Sequence, residues 1–172
     1  MKTLYIDEKY ENLELKENVY YLNIEKTILV NEVEIFLDKK LIMNFDCSII
    51  TNKINSEKSL EINGTLIIGT NREDGESAIN VKGSLSIKEL YTLKRDLKIY
   101  TWNNIYIKKF FCDKNKTLRV VSEDSTVKIE EIDFEKSKSA FDRLNLSTIK
   151  KFLFFKCKKI EVPEKILKYI GR

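Results

Sequence analysis

Two stretches nineteen residues apart share one pattern: "LEINGTLII" at 60–68 and "INVKGSLSI" at 79–87. Their apolar positions coincide on superposition, and Gly64 falls on Gly83. The offset runs backward without a gap. Leu22, Ile24, Lys26, Ile28 and Val30 map onto Leu41, Met43, Phe45, Cys47 and Ile49, and these onto Leu60, Ile62, Gly64, Leu66 and Ile68. Alternation of period two puts every second residue on one face, so each block supplies short strands with one apolar side. No such strand buries that side alone, but blocks stacked at a fixed period make a continuous core.

Forward, the pattern stretches but survives. "LKIYTWNNIYI" at 97–107 carries two extra residues at its middle corner, and "LRVVSEDSTVKI" at 118–129 carries three. A second signature follows the alternation, two mostly polar residues and then an apolar one: "VNEV", "IKEL", "IKKF", "IEEI" and "CKKI". Its anchors Val30, Ile49, Ile68, Ile87, Ile107, Ile129 and Cys157 are 19, 19, 19, 20, 22 and 28 residues apart. This predicts an all-β solenoid, a parallel β-helix of six to seven coils. Gly64 and Gly83 are expected at tight corners, where φ is positive.

The tail "FFKCKKIEVPEKILKYIG" faintly resembles irregular bacterial leucine-rich repeats, which makes a leucine-rich-repeat-like solenoid the chief alternative fold. Those repeats carry one strand and an asparagine ladder per ~20–29 residues. Here the alternation covers two strands per period and no such asparagine recurs. A sandwich or another β-rich fold is the remaining alternative.

The expected organisation is one domain over 1–172, with an N-terminal cap at 1–18 and regular coils at 19–132. A helical insertion follows at 133–151, the last coil at 152–162 and a capping helix at 163–171. The insertion carries "FEKSKSAFDRLN" at 134–145, with Phe134, Phe141 and Leu144 on one helical side. The capping helix has Pro163 at its start, Glu164 in the first turn, Lys168 in the last and Gly171 just beyond, which is helix-terminus chemistry. Ile166 and Ile170 then share a face.

Over roughly residues 20–132, the coil length and short glycine corners resemble bactofilins, bacterial β-helical proteins that polymerise end to end. The resemblance is one of architecture, and it implies a structural scaffold. The long later coils and the C-terminal helix depart from that pattern, and a capped end opposes polymerisation.

Composition narrows the function. The chain has no histidine, which removes the commonest general base and the usual zinc and iron ligand sets. Cys47, Cys112 and Cys157 lack metal-ligand spacing and read as reduced, buried thiols. No glycine-rich phosphate loop or nucleophile elbow occurs. No run reaches the ~18–20 apolar residues of a membrane span, and acidic residues occupy the place of a signal peptide's apolar stretch. The expectation is therefore a cytoplasmic, non-catalytic protein with no metal or other cofactor.

Three features are candidate partner-binding elements. Residues 136–172 hold eleven Lys or Arg against three Asp or Glu, which can mark an anionic-partner surface. On stacked coils, however, Lys88-Glu89, Lys108-Lys109, Glu130-Glu131 and Lys158-Lys159 are expected to form a ladder of opposite charges, which makes nucleic-acid binding the lesser expectation. The polar loop "TNREDGES" at 70–77 contributes Arg72, Asp74 and Glu76, read as structural or partner-binding before catalytic. "IYTWNNIYIKKFF" at 99–111 contributes Tyr100 and Tyr106 at outward phase and Trp102 at a widened corner, residue types that dominate interfaces.

These features point to a protein-binding module that acts as a monomer or in a 1:1 complex. Small size, mixed charge and irregular loops suit an inhibitor, such as an immunity protein that neutralises a toxin or nuclease, or a phage-encoded inhibitor. The alternatives are a bactofilin-like self-assembling scaffold and a β-helix acting on polysaccharide.

Overall fold

In the computed structural model the described residues are 2–6, 12–16, 19–24, 27–37, 39–69, 75–92, 95–112, 116–134, 151 and 153–171. They form a parallel β-solenoid of about six turns, built from three ribbons of stacked strands. Ribbon A holds β1 (Lys2–Ile6), β3 (Val19–Ile24) and the opening parts of β6 (Leu41–Thr51), β8 (Leu60–Ile68), β10 (Leu85–Thr92) and β12 (Ile105–Cys112). Ribbon B holds β4 (Ile28–Leu29) and the closing parts of those long strands. Ribbon C holds β2 (Asn12–Lys16), β5 (Glu32–Phe36), β7 (Lys53–Ser56), β9 (Glu76–Val81) and β11 (Asp96–Thr101). The long strand β13 (Leu118–Phe134) starts on C and ends on A and B, and β14 (Leu153–Glu161) continues C and A beneath it.

The alternation in the sequence is the alternation of burial. Strand β8 reads buried at Leu60, Ile62, Gly64, Leu66 and Ile68, with the residues between them turned outward. Met43, Ile62, Ile87 and Ile107 lie in one inward column, and each is fully buried. Burying an Ile or Leu side chain contributes about 1.5–3 kcal/mol. The same column repeats on all three ribbons, and the inward residues join into one hydrophobic core.

Five inward positions among the described residues carry hydroxyls, and all but Ser77, whose hydroxyl has no hydrogen-bond partner, answer to the backbone of a corner. Thr51 donates to Asn31 O at 3.0 Å, Ser56 to Lys58 O at 2.8 Å, and both Thr101 and Ser122 to Asn103 O at 2.7 Å. These buried hydroxyls find their acceptors in corner carbonyls, and at Asn31 O the hydroxyl of Thr51 adds to the main-chain bond from Asn52 N at 3.0 Å. Polar residues therefore break the apolar column where the chain bends.

The coils differ from the sequence-derived register. Ile79 and Val81 do point inward, but they lie on ribbon C beside Ile54 and Ser56 and are not stacked on Leu60 and Ile62. The strand stacked on Leu60 begins at Leu85, twenty-five residues on. Sliding 60–68 onto 79–87 therefore superposes ribbons A and B on ribbons C and A. The nineteen-residue interval is real between Leu41 and Leu60, whereas Ile49 stacks on Leu66 and not on Ile68. The anchors Ile87, Ile107 and Ile129 do share one column. Alternation cannot distinguish one ribbon from the next, because all three show the core the same period-two face.

The glycine expectation changes too. Positive φ occurs at Gly69 (115°) and Gly75 (103°), at the loop after β8, and not at Gly64 or Gly83. Gly83 is required by crowding instead: a Cβ there would lie 2.6 Å from the backbone nitrogen of Ser59.

The ends also differ from expectation. Residues 1–18, expected as a cap, contain β1 and β2, which pair in parallel with β3 and β5 and so extend the solenoid. The expected helix at 134–145 lies outside the described residues, apart from Phe134 at the end of β13. The C-terminal segment is a 3-10 helix, Glu164–Tyr169, and Ile166 on it is fully buried against the last coil. Ile170 does not share its face. It is extended and pairs beside Leu153 in β15 (Ile170–Gly171). Among the described residues no helix is long and apolar enough to cross a membrane.

Candidate interaction surfaces

The outer positions of the ribbons carry the surface chemistry. Trp102 opens the corner 102–104 between ribbons C and A. This corner matches those at 57–59 and 82–84 in length, so it is not the expansion read from the sequence. Its backbone is fixed from above, since Trp102 N donates to Val81 O at 3.2 Å and Asn103 N to Gly83 O at 3.1 Å. The indole remains 58% exposed, the highest exposure among the large apolar side chains of the described residues. Tyr100, on ribbon C next to it, is 40% exposed.

Tyr106 lies on ribbon A, past the same corner, and is engaged locally. Lys128 sits over its ring, 5.7 Å from the centroid. Its hydroxyl titrates above the ordinary tyrosine range, because of partial burial and then because it donates to the Glu130 carboxylate. Glu130 in turn pairs with Lys128 at 3.4 Å. Tyr106 is thus tied into its own sheet, and Tyr100 and Trp102 are the pair of aromatics left outward at this edge.

The remaining candidates do not converge on that site. Arg72 and Asp74 lie outside the described residues, and Glu76 begins β9, exposed, beside Asp96 of the next strand. Glu89, Lys109 and Glu131 do stack as a ladder of alternating charge on ribbon B, with Lys108 at the corner beside it. The expected last rung does not join it. Lys159 pairs in register with Thr126 on ribbon A and bridges Glu161 at 2.6 Å, while Lys158 lies at the corner between C and A. Lys158 shares that edge with Trp102, two coils below it.

Two surfaces escaped the sequence reading. The first is an apolar column on the outside of ribbon B: Leu29, Ile50, Ile67, Tyr91 and Phe111 occupy one register position in five successive coils. Tyr91 and Phe111 stack with centroids 4.2 Å apart and planes 8° from parallel. Its signal was present as apolar doublets, Ile28-Leu29, Ile49-Ile50, Leu66-Ile67, Leu90-Tyr91 and Phe110-Phe111, where strict alternation demands a polar partner. Contiguous apolar surface of this kind is an interaction feature.

The second is the outer side of ribbon C at its C-terminal end. Lys98 and Arg119 stack in one column, and Tyr100, Val121 and Lys156 in the next. Lys156 bridges Glu123, which holds the ammonium's pKa above the usual lysine value. Among the described residues neither Lys98 nor Arg119 has an ion-pair partner. A shallow cleft of about 410 Å³, lined by Arg119, Val121, Phe154, Lys156 and Gly171, opens beside them.

Cys112 is buried and Cys157 half-buried, and neither is in a disulfide. The side chain of Cys47 lies outside the described residues. Among the described residues no group of three or more His, Cys, Asp or Glu side chains is arranged to hold a metal ion. No protein-family model, curated protein or solved structure matches the chain.

Proposed function

We propose that the protein is a non-catalytic scaffold that binds another protein through the edge centred on Trp102. The observation that carries this reading is the exposure of Trp102 at a corner whose backbone is held by the coil above. A rigidly mounted, desolvable indole beside Tyr100 is the geometry of an interface anchor. The mixed charges around it, the pairs Lys82–Glu57 at 2.6 Å and Lys156–Glu123, suit a polar rim that steers a charged partner. Within this class, a small cytoplasmic inhibitor of the immunity-protein or phage-encoded kind is the reading preferred.

The test is capture from the source cells with wild-type protein and with Trp102→Ala in parallel. The wild type should retain one stoichiometric protein and the variant should lose it, with melting temperatures within a degree or two. A stoichiometric partner held equally by both proteins would overturn the site, and none on the wild type would overturn the function.

End-to-end assembly of the bactofilin kind is the second reading, favoured by the parallel stacking alone. It is opposed by Ile166, whose burial against the last coil seals that end of the core.

A further inference from the structure

The register of ribbon C runs unbroken through seven strands, from β2 to β14. Its two outward columns are therefore straight. One reads Asn12, Glu32, Lys53, Ala78, Lys98, Arg119, Phe154, and the other Glu14, Glu34, Asn55, Asn80, Tyr100, Val121, Lys156. The charge is sorted along them. Glu14, Glu32 and Glu34 occupy the first two strands, small uncharged Ala78 and Asn80 the fourth, and Lys98, Arg119 and Lys156 the last three.

From this we infer that ribbon C is a self-complementary face on which a second copy of this chain docks antiparallel, forming a two-fold dimer. A two-fold axis along the strand direction at Ala78 and Asn80 keeps each column in place and reverses the order of strands. Glu32 then meets Arg119 of the second copy, Glu14 meets Lys156, and the mirrored contacts form at the other end, as an isologous interface demands. Val121 lies over the aliphatic part of Glu34. The one like-charged meeting is Lys53 with Lys98, and Lys53 already has Glu32 at 3.7 Å. The local pairs that compete are Glu32–Lys53, which is long at 3.7 Å, and Glu14–Lys16 and Lys156–Glu123, whose side chains are more than half exposed, and such solvent-accessible pairs are weak enough to exchange partners.

Six steps of ~4.8 Å by five residues of ~3.3 Å give a face of roughly 29 by 16 Å, so the two copies bury roughly 900 Å² together. That is below the ~1,200 Å² of stable complexes. The dimer is accordingly weak and electrostatic, and it dissolves as the Debye length falls from ~30 Å at 0.01 M salt to ~3 Å at 1 M.

Sedimentation velocity of the full chain over a concentration series tests this. The wild type should shift to dimer at high protein concentration in low salt and return to monomer in high salt. Glu32→Arg and Arg119→Glu should each weaken the dimer at least about tenfold, as reversal of a facing charge does. The two substitutions combined in one chain should restore it. Thermal melts establish that each variant is folded, and Lys98→Glu, at the one like-charged meeting, serves as a second probe that should strengthen association by turning the repulsion of Lys53 into attraction. A wild type that stays monomeric in low salt, a dimer indifferent to salt, or a double variant no tighter than the singles would overturn the proposal.

Discussion

Gly83 lies against the backbone of Ser59 in the coil before it, not beneath Gly64. The ideal Cβ position at Gly83 is 2.6 Å from Ser59 N and 2.9 Å from its Cα. That nitrogen and its neighbours belong to a corner held by main-chain bonds, among them Leu60 N to Ser84 O at 2.9 Å. They cannot retreat without opening the ladder. Gly83→Ala should therefore destabilise by about 1–3 kcal/mol, the usual cost of overpacking, measured as a lowered denaturant midpoint. A neutral result would mean that the 82–84 corner yields freely.

Ile166 should behave as a core residue despite its place near the end of the chain. Ile166→Ala is expected to cost about 2–5 kcal/mol, as buried Ile truncations do. Leu167→Ala beside it, 52% exposed, should cost under ~0.5 kcal/mol. Chemical denaturation of the two variants checks the contrast, and equal losses would contradict the plug.

Glu61 links stability to acid. Lys40 and Asn63 donate to its carboxylate, and the hydrogen bond from Lys40 above all holds its pKa below the usual value of 4.5. A carboxylate whose folded pKa is lowered stabilises the fold above its unfolded pKa, and that stabilisation is lost as pH falls through the folded value. Urea midpoints measured from pH 7 downward should fall less steeply below pH 4.5 in Glu61→Gln than in the wild type, from a lower starting point. Parallel curves would exclude the link.

Cys157 should be a slow thiol. Burial pushes its pKa above the usual 9.0, and the thiolate is the reactive form. Its labelling by a maleimide at pH 7.5 should be slower than that of a free cysteine and should accelerate on denaturation. Labelling as fast as the free amino acid would show the site to be open.

The strands and their faces were legible because burial imposes period two directly on residue identity, as along Leu60, Ile62, Leu66 and Ile68. Which ribbon a strand joins was not legible. Ile79 carries the same signal whether it stacks on Leu60 or on Ile54, and the choice is made by the length of the loop before it. Of the candidate site, Trp102 and Tyr100 could be picked out by type and phase. The charged faces could not, since Lys98 and Arg119 meet only once the coils are in register. Tyr106 shows the opposite limit: its phase is outward, yet Lys128 and Glu130, more than twenty residues on, take up its ring and hydroxyl.

The joints between ribbons are unequal. Those from C to A stay at four residues or fewer, with three in 57–59, 82–84 and 102–104, and those from A to B shorten to a single residue at 64, 88 and 108, whereas those from B to C run from the lone residue 52 to 69–75 and 135–152. One edge of the solenoid thus absorbs the variation in chain length, and lengthening a connection there costs only ~0.6 kcal/mol per doubling. That edge is a socket. New sequence can be spliced between ribbons B and C, turn by turn, while the register beneath it carries on, which makes this side the one on which such a protein can acquire or exchange specificity without refolding.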